Sequence, residues 1–290
     1  MKRIILSSII MVIAAMVSVS CANRNQKDAA ANETTEMENT QIAEQEYDIV
    51  TTHGTMRVKL YNKTPKHRDN FKKLVAEKYY DGIRFHRVIE GFMIQAGDPE
   101  SKNANDTAML GSGDVGYTIP AEFNNKFFHK KGVLAAARQG DQVNPEKASS
   151  GCQFYIVTGR KFREAQLLDM EAQINEQREG AIFDSLAQKH MKEIYKLRKA
   201  QDNEGLLELQ DKLEAEAHEL YKQEEPFKFT PQQIAAYTTI GGAPHLDGAY
   251  TIFGEVTEGL EVVEFIEAAK TNRNDRPIQN IRIVKASIIE

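Results

Sequence analysis

Apolar and polar residues alternate along several short stretches in the middle and at the end of the chain. In the stretch 55–61, three apolar residues alternate with Arg57 and Lys59, which predicts a strand with one buried face. His53-Gly54 precedes this strand and predicts a hairpin turn from a partner strand over 47–52. The same character recurs at 84–89, 92–96, 132–137, 153–158, 250–256 and 281–289. Many short strands with few helices predict a mainly β protein, either a barrel or a sandwich.

Two short segments between these strands predict helices. Pro65 suits the first turn of a helix, where its fixed φ and missing N–H are tolerated, and Thr64 is expected at the N-cap. A second short helix is expected over 259–269, near the end of the chain.

Between residues 161 and 239 the sequence changes character, because Gly and Pro nearly vanish while Glu, Gln, Lys, Leu and Ala dominate. Apolar residues recur there at intervals of three or four, as one face of a helix requires. The two stripes are Phe183, Ala187, Met191 and Ile194, then Leu206, Leu209, Leu213, Ala217 and Leu220. A polar stretch at 202–205 predicts the turn between them. We interpret 162–239 as a helical hairpin inserted into the β domain. The stripes favour either the seam of the hairpin or its contact with the β domain over a partner-binding site.

The first twenty residues have the pattern of a secretory signal peptide, with Lys2 and Arg3 before an apolar run over 4–19. The run ends at Cys21, as bacterial lipoprotein signals do, which favours acylation of Cys21 over an ordinary signal with an incidental cysteine. Residues 21–46 are polar and lack apolar periodicity, which predicts a lipidated, flexible tether. We therefore expect an exported cell-envelope lipoprotein, facing the periplasm or the surface and anchored to the membrane through Cys21.

Composition narrows the classes of function. The chain has 290 residues and a net charge of −5, so it lacks the basic excess typical of nucleic-acid binders, and no nucleic-acid partner is expected. Its two cysteines exclude a fold held together by several disulfides. The seven histidines show no zinc-binding spacing, so neither a metal nor another cofactor is expected.

The segment 84–98 carries the most specific motif in the chain. Its core reads Phe85-His86-Arg87 followed by Phe92-Met93-Ile94-Gln95, and it resembles the motif of the cyclophilin family of peptidyl-prolyl cis-trans isomerases. Further blocks at 116–123, 132–138, 150–156 and 246–254 match the family in the same order. The resemblance covers 47–161 and 240–290. It implies a closed eight-stranded antiparallel β-barrel capped by two helices, with 162–239 as the insertion.

The resemblance assigns catalytic roles to Arg87 and Gln95. Prolyl isomerisation breaks no covalent bond, and its obstacle is an amide-resonance barrier of about 18–20 kcal/mol. In the twisted transition state the prolyl nitrogen regains a lone pair, so a fixed donor aimed at it stabilises that state selectively. The guanidinium of Arg87 is such a donor, and Gln95 is expected to contact the substrate backbone and to help orient the arginine.

The resemblance also implies a groove for substrate, with an apolar socket for the proline ring. The expected substrate-binding residues are His86, Phe92, Met93, Ala137, Arg138, Gln153, Tyr155, Leu246 and Tyr250. A thiol-nucleophile role for Cys152 is disfavoured, because no His-plus-Asn arrangement accompanies it.

These features together predict a monomeric prolyl isomerase. Its partners are expected to be proline-containing peptides and unfolded exported proteins, and its role is expected to be assistance in the folding of envelope proteins. The alternative is a cyclophilin-like chaperone or protein-binding module with incidental isomerase activity. A purely structural lipoprotein is a third class, and it would not need the groove residues.

Overall fold

The computed structural model describes residues 43–289, so the predicted signal peptide, Cys21 and most of the tether lie outside the described residues. The strands are β1 (Glu46–Thr51), β2 (Gly54–Leu60), β3 (Arg87–Ile89), β4 (Met93–Ala96), β5 (Thr118–Ile119), β6 (Val133–Ala136), β7 (Ser149–Ser150), β8 (Phe154–Val157), β9 (Ile252–Glu258) and β10 (Ile283–Ile288). The α-helices are α1 (Pro65–Ala76), α2 (Glu164–Lys189), α3 (Met191–Ala200), α4 (Asn203–Tyr221), α5 (Pro231–Thr239) and α6 (Leu260–Glu267). Each stretch predicted as a strand contains one, whereas the sequence does not predict the two-residue strands β5 and β7.

Eight strands form one curled antiparallel sheet, and β5 pairs separately with β7. The order in the large sheet is β10-β1-β2-β9-β6-β8-β4-β3. The mainly β prediction is therefore confirmed, but the prediction of a closed barrel is wrong, because no ladder joins the edge strands β3 and β10. An isolated bridge between Arg84 and Arg282 lies at this seam. The chain turns at Gly82, where φ is +82°, and regular pairing resumes only at residue 87, so β3 is too short to close the sheet.

The two faces of the large sheet bury different side chains. Successive residues of a strand point to opposite faces. Along β8, Phe154 and Ile156 therefore enter the main core, while Tyr155 and Val157 enter a second cluster on the other face. We call this second set the groove cluster; it comprises Tyr61, Met93, Val133, Ala135, Tyr155, Val157, Ala243, Leu246 and Ile252. Both faces of the central strands are thus covered, which is why the sequences of β6 and β8 are apolar at every position.

Helices α1 and α6 pack on the main core, as the two predicted capping helices should. Their buried faces include Phe71, Leu74 and Val75 in α1 and Val262, Val263 and Ile266 in α6. Thr64 holds the predicted N-cap position of α1 but makes no capping hydrogen bond. Instead, the carboxylate of Glu122 accepts from the backbone N–H groups of Lys66 and His67, at 3.1 and 3.0 Å.

Residues 162–239 contain four helices, α2 to α5, rather than a two-helix hairpin. The long first arm breaks at His190, and α4 packs against both α2 and α3. The predicted turn precedes α4, where the Asp202 carboxylate caps the helix by accepting from the N–H of Gly205 at 2.9 Å. The apolar stripes do not predict α5, although Thr230 and Gln233 form a capping box at its start. Among residues 43–289, no helix is both long enough and apolar enough to cross a membrane.

The two ends of the helical segment lie side by side. Arg160 forms a β-bridge with Gly242, and the N–H of Phe162 donates to the carbonyl of Tyr237 at 2.9 Å. The segment is not self-contained, however, because it shares an apolar cluster with the loop before β6. The buried members of that cluster are Phe128, Leu167, Phe229 and Tyr237.

Candidate active site

One row of paired residues across the sheet places the main polar side chains of the site. Arg87 pairs with Gln95 between β3 and β4, Gln95 pairs with Tyr155 between β4 and β8, and Tyr155 pairs with Ala135 between β8 and β6. Residues in direct register point to the same face of a sheet. Arg87, Gln95 and Tyr155 therefore stand on the face that carries the groove cluster.

A groove of about 500 Å³ runs over this face. Its apolar floor is made by Met93, Tyr155 and Leu246, all buried, with Phe92 packed against them. Leu246 comes from a short helical turn at Pro244–Leu246, far along the chain from the strands. The floor can accept an apolar ring, because burying such a ring removes its surface from water at about 25 cal/mol per Å².

The groove brings together every residue expected at the site except Gln153. The lining includes the expected residues His86, Arg87, Phe92, Met93, Gln95, Ala137, Arg138, Tyr155, Leu246 and Tyr250. Gln153 lies behind the groove wall, where its amide donates to the carbonyls of Gly111 and Gly113 at 2.9 and 2.8 Å. Its side-chain oxygen accepts from Nε2 of Gln95 at 3.0 Å, so Gln153 reaches the groove only through Gln95.

Arg87 is exposed at one side of the apolar floor. Its Nε lies 3.6 Å from the carboxylate of Asp275, and both side chains are nearly half exposed. An exposed ion pair of this kind contributes little stability, so it restrains the guanidinium without immobilising it. Asp275, which belongs to none of the sequence motifs, thus adds a contact to the arginine.

Arg138 and Tyr250 form another part of the groove lining. The guanidinium of Arg138 lies over the Tyr250 ring, 4.5 Å from its centroid. Its Nε donates to the carbonyl of Ala249 at 2.8 Å, and its terminal nitrogen donates to the Asp141 carboxylate at 2.6 Å. These contacts fix Arg138, in contrast to Arg87, so the two arginines suit different roles.

A loop that contributes none of the expected site residues lines part of the groove. Met109, Leu110, Gly111 and Ser112 line it, together with Asn274 from the loop that carries Asp275. The buried carboxylate of Asp98 accepts from the backbone N–H groups of Glu100 and Gly111 and so ties down both ends of the loop. The feature of the sequence that could have indicated this loop is its length between Asp98 and Ser112.

Cys152 is buried in the main core beside the groove strands. Burial raises the pKa of its thiol, which disfavours the nucleophilic thiolate. The environment agrees with the interpretation of Cys152 as a small apolar core residue.

His86 is buried under the groove, 4% exposed, and neither ring nitrogen has a hydrogen-bond partner among residues 43–289. Burial lowers the pKa of His86 to about 4, from an ordinary value of 6.5, because the charged imidazolium is poorly solvated there. His86 is therefore neutral at physiological pH and shapes the groove without adding charge.

We expect this buried histidine to make stability depend on pH. Between pH 6.5 and pH 4 the unfolded chain binds a proton at His86 that the folded protein resists, so stability falls as pH falls through this window. From pH 7 to pH 4 the free energy of unfolding, measured by urea titration, should drop by about 3 kcal/mol more in the parent than in His86→Leu. His218→Leu, at an exposed position on α4, is the control. Equal pH dependence in the parent and His86→Leu would contradict this prediction.

Comparison with known proteins identifies the family. A family model for the cyclophilin type peptidyl-prolyl cis-trans isomerase/CLD matches residues 47–212 and 232–288. The match includes α2, α3 and part of α4, so it does not by itself delimit an insertion. A relative from Staphylococcus saprophyticus, named for peptidyl-prolyl cis-trans isomerase activity, is 29% identical over 255 residues, which are 87% of this chain and 96% of the relative.

Two further comparisons involve a larger protein and a more distant one. A protein from Streptococcus pyogenes, named as a bifunctional phosphatase/peptidyl-prolyl cis-trans isomerase, is 27% identical over 245 residues; the match spans 83% of this chain but 38% of that protein. The crystal structure of a cyclophilin type peptidyl-prolyl cis-trans isomerase from Cryptosporidium parvum gives a TM-score of 0.49 at 19% identity, covering 86% of this chain and 99% of that one. Since the family model matches well over half of its length, the chain belongs to the cyclophilin-type peptidyl-prolyl cis-trans isomerase family.

Proposed function

We propose that the groove catalyses cis-trans isomerisation of X-Pro bonds by arginine-assisted twisting of the amide. The observation that carries the proposal is the position of the exposed Arg87 guanidinium beside a buried apolar floor in one groove. The floor holds the proline ring, and Arg87 supplies a donor at its edge. No acid, base or nucleophile is required, because the reaction moves no proton and breaks no bond of the substrate.

Three groups have separate tasks in this mechanism. Met93, Tyr155 and Leu246 hold the ring, and they bind ground state and transition state alike. Arg87 donates to the prolyl nitrogen only when the amide is twisted, so its contribution lowers the barrier. Gln95 has its amide nitrogen committed to Gln153, which leaves its oxygen to accept from a substrate N–H.

The direct test is catalysis of cis-trans exchange in a short Ala-Pro peptide, measured by a protease-coupled assay and by NMR exchange spectroscopy. The parent should accelerate exchange, and a peptide with alanine in place of proline should compete poorly for the groove. A parent protein that is folded but leaves the exchange rate unchanged would contradict the proposal.

We further propose that the protein works outside the cytoplasm as a membrane-anchored lipoprotein that assists the folding of envelope proteins. This proposal is supported by the sequence of residues 1–21, which resembles a lipoprotein signal. An X-Pro bond isomerises in tens to hundreds of seconds without catalysis, which is slow enough to limit folding. A tethered isomerase would meet exported chains where they fold.

One observation favours the alternative of a chaperone or protein-binding module. A second groove, of about 340 Å³, lies between the β domain and the helical segment. It is lined by Phe123 and Phe127 on one side and by Arg178 and Phe227 on the other, and it shares Tyr250 with the first groove. Apolar surface next to the catalytic groove can hold additional residues of an unfolded client. The two functions are therefore compatible.

We expect most of the helical segment to be dispensable for the reaction on a small substrate. Replacing residues 164–230 with a short Gly-Ser linker retains α5 and all the groove residues, so activity on a short proline peptide should remain within about tenfold of the parent. The same variant should lose more activity on an unfolded protein, because contacts that raise the client's local concentration are gone. Both activities are measured on the same preparation. A folded variant that has lost both would place α2 to α4 in the active site.

A further inference from the structure

A chain of buried hydrogen bonds connects the helical segment to the floor of the groove. The hydroxyl of Tyr237, in α5, donates to Oδ2 of Asp247 at 2.6 Å. Oδ1 of Asp247 lies 2.9 Å from Nδ1 of His129, and Nε2 of His129 lies 3.0 Å from the hydroxyl of Tyr155. His129 and Tyr237 are 0% exposed and Tyr155 is 4% exposed, whereas the Asp247 side chain is 11% exposed and lines the second groove, so the bond between His129 and Tyr155 is the best shielded from water.

The partners in this chain determine where the protons are. A carboxylate can only accept, so Nδ1 of His129 must donate to Asp247. Asp247 also accepts from the backbone N–H of His129 at 2.7 Å and from Nε2 of Gln233 at 3.1 Å, which holds the carboxylate in place. In a neutral imidazole with its proton on Nδ1, Nε2 is an acceptor. In that form of His129 the Tyr155 hydroxyl donates to Nε2, and its proton points away from the groove.

The direction of that proton matters for an apolar pocket. The Tyr155 ring forms part of the floor, and its hydroxyl lies on the side of His129. With the proton on Nε2 instead, His129 would donate to the tyrosine oxygen, and the tyrosine proton would need another acceptor. An unsatisfied buried donor next to a bound proline ring would weaken the binding of that ring.

We propose that Tyr237 and Asp247 are positioning residues for the isomerase groove: they fix the tautomer of His129, and thereby the hydroxyl of Tyr155, through a contact that the helical segment supplies. This inference rests on the proposed function of the groove. It gives α5 a role that α2 to α4 do not share. Tyr237 and Gln233, which lie in α5, belong to the hydrogen-bond chain, whereas α2 to α4 contribute no residue to it. It also gives Asp247 a role that differs from that of Leu246, the preceding residue, which forms part of the groove floor.

The expected kinetic effect is on substrate binding. Because the floor holds the proline ring in ground state and transition state alike, loosening it should raise KM with little change in kcat. Tyr237→Phe removes one hydroxyl and should raise KM about threefold to fivefold, with kcat within twofold of the parent. Asp247→Ala breaks the chain completely and should raise KM further.

Tyr221→Phe is the matched control. Tyr221 lies in α4 and also donates its hydroxyl to a side-chain oxygen, that of Asn175 at 2.8 Å, but this bond is not part of the chain. It should leave KM unchanged. In a Tyr155→Phe background there is no hydroxyl to position, so adding Tyr237→Phe should change KM by less than about 1.5-fold, the signature of coupled sites. An undiminished effect in that background, or an equal effect of Tyr221→Phe, would overturn the proposal.

A measurement that needs no activity tests the chain itself. The ¹⁵N chemical shifts of His129 in the parent protein should show the proton on Nδ1, and Asp247→Ala should shift the population toward the other tautomer. A parent with the proton on Nε2 refutes the positioning role even if the enzyme is active. If instead the parent has the expected tautomer but no isomerase activity, the proposed function of the groove fails and the hydrogen-bond chain stands.

Discussion

Arg87→Ala should reduce kcat/KM for a short proline peptide by about two orders of magnitude or more while the protein remains folded. Removing one preorganised donor at a site of developing charge typically costs a factor of 10² to 10³. The loss should fall mainly on kcat, because Arg87 is proposed to contact the prolyl nitrogen only in the twisted state. The residue is exposed, so its side chain supports no part of the core. Turnover is measured in the protease-coupled assay, and the fold by circular dichroism.

Two further variants make this experiment specific. Arg87→Lys keeps the positive charge but should restore little activity, because an ammonium does not reproduce the planar donor group of arginine. Arg57→Ala is the control, since Arg57 also lies on a strand and pairs with an aspartate, Asp48, at 3.0 Å, away from the groove. It should leave turnover unchanged. Parent-like turnover in Arg87→Ala would show that the mechanism is wrong.

Cys21→Ala should leave the protein either unprocessed at its signal peptide or lost from the membrane fraction. Two acyl chains give lasting anchorage, whereas one chain binds only marginally, so a chain that is cleaved but not acylated should leave the membrane. We expect the parent in the membrane fraction after cell fractionation, and the variant either unprocessed at its signal peptide or released from that fraction. Mass spectrometry of the mature N-terminus reports the modification directly.

The control for this experiment is Ser20→Ala, which keeps both the cysteine and a small residue before it. It should be processed and retained like the parent. A mature parent whose N-terminus lies elsewhere and carries no fatty acid would refute the lipoprotein proposal without affecting the proposed chemistry of the groove.

Local sequence patterns were sufficient to predict the strands of the large sheet. Met56, Val58 and Leu60 alternate with charged residues because one face of β2 is buried, and all three are fully buried in the structure. The closure of the sheet could not be predicted in the same way. Closure depends on the turn at Gly82 and on how residues 84–86 pair with the region of β10. Neither feature produces a periodic pattern of apolar residues in the sequence. The number of helices in 162–239 was also predicted wrongly, because the first apolar stripe continues across the break at His190 and α5 is too short to show a stripe.

Some residues of the candidate site could be predicted from the sequence, and others could not. The motif residues Arg87, Phe92 and Met93 could be assigned to one site because they resemble a known family in order and spacing. Asp275 and His129 could not, since each contacts the site through the tertiary fold and belongs to no local motif. Asp275 contacts Arg87, and His129 contacts Asp247. In each pair the two residues are more than a hundred positions apart in the sequence. Such pairs become visible only when the strands are in place.

The side-by-side ends of the helical segment also bear on how quickly the protein folds. The pairing of β6 with β9 joins parts of the chain on either side of this segment. Closing a flexible loop of roughly 120 residues rather than roughly 40 costs about 1 kcal/mol of chain entropy. Helix α4 packs against α2 and α3 over shorter sequence separations than that between β6 and β9, so we expect these helices to pack before β9 pairs with β6. Packing of the helical segment brings its two ends, Arg160 and Gly242, close together. The flexible loop that must then close to pair β9 with β6 is therefore much shorter.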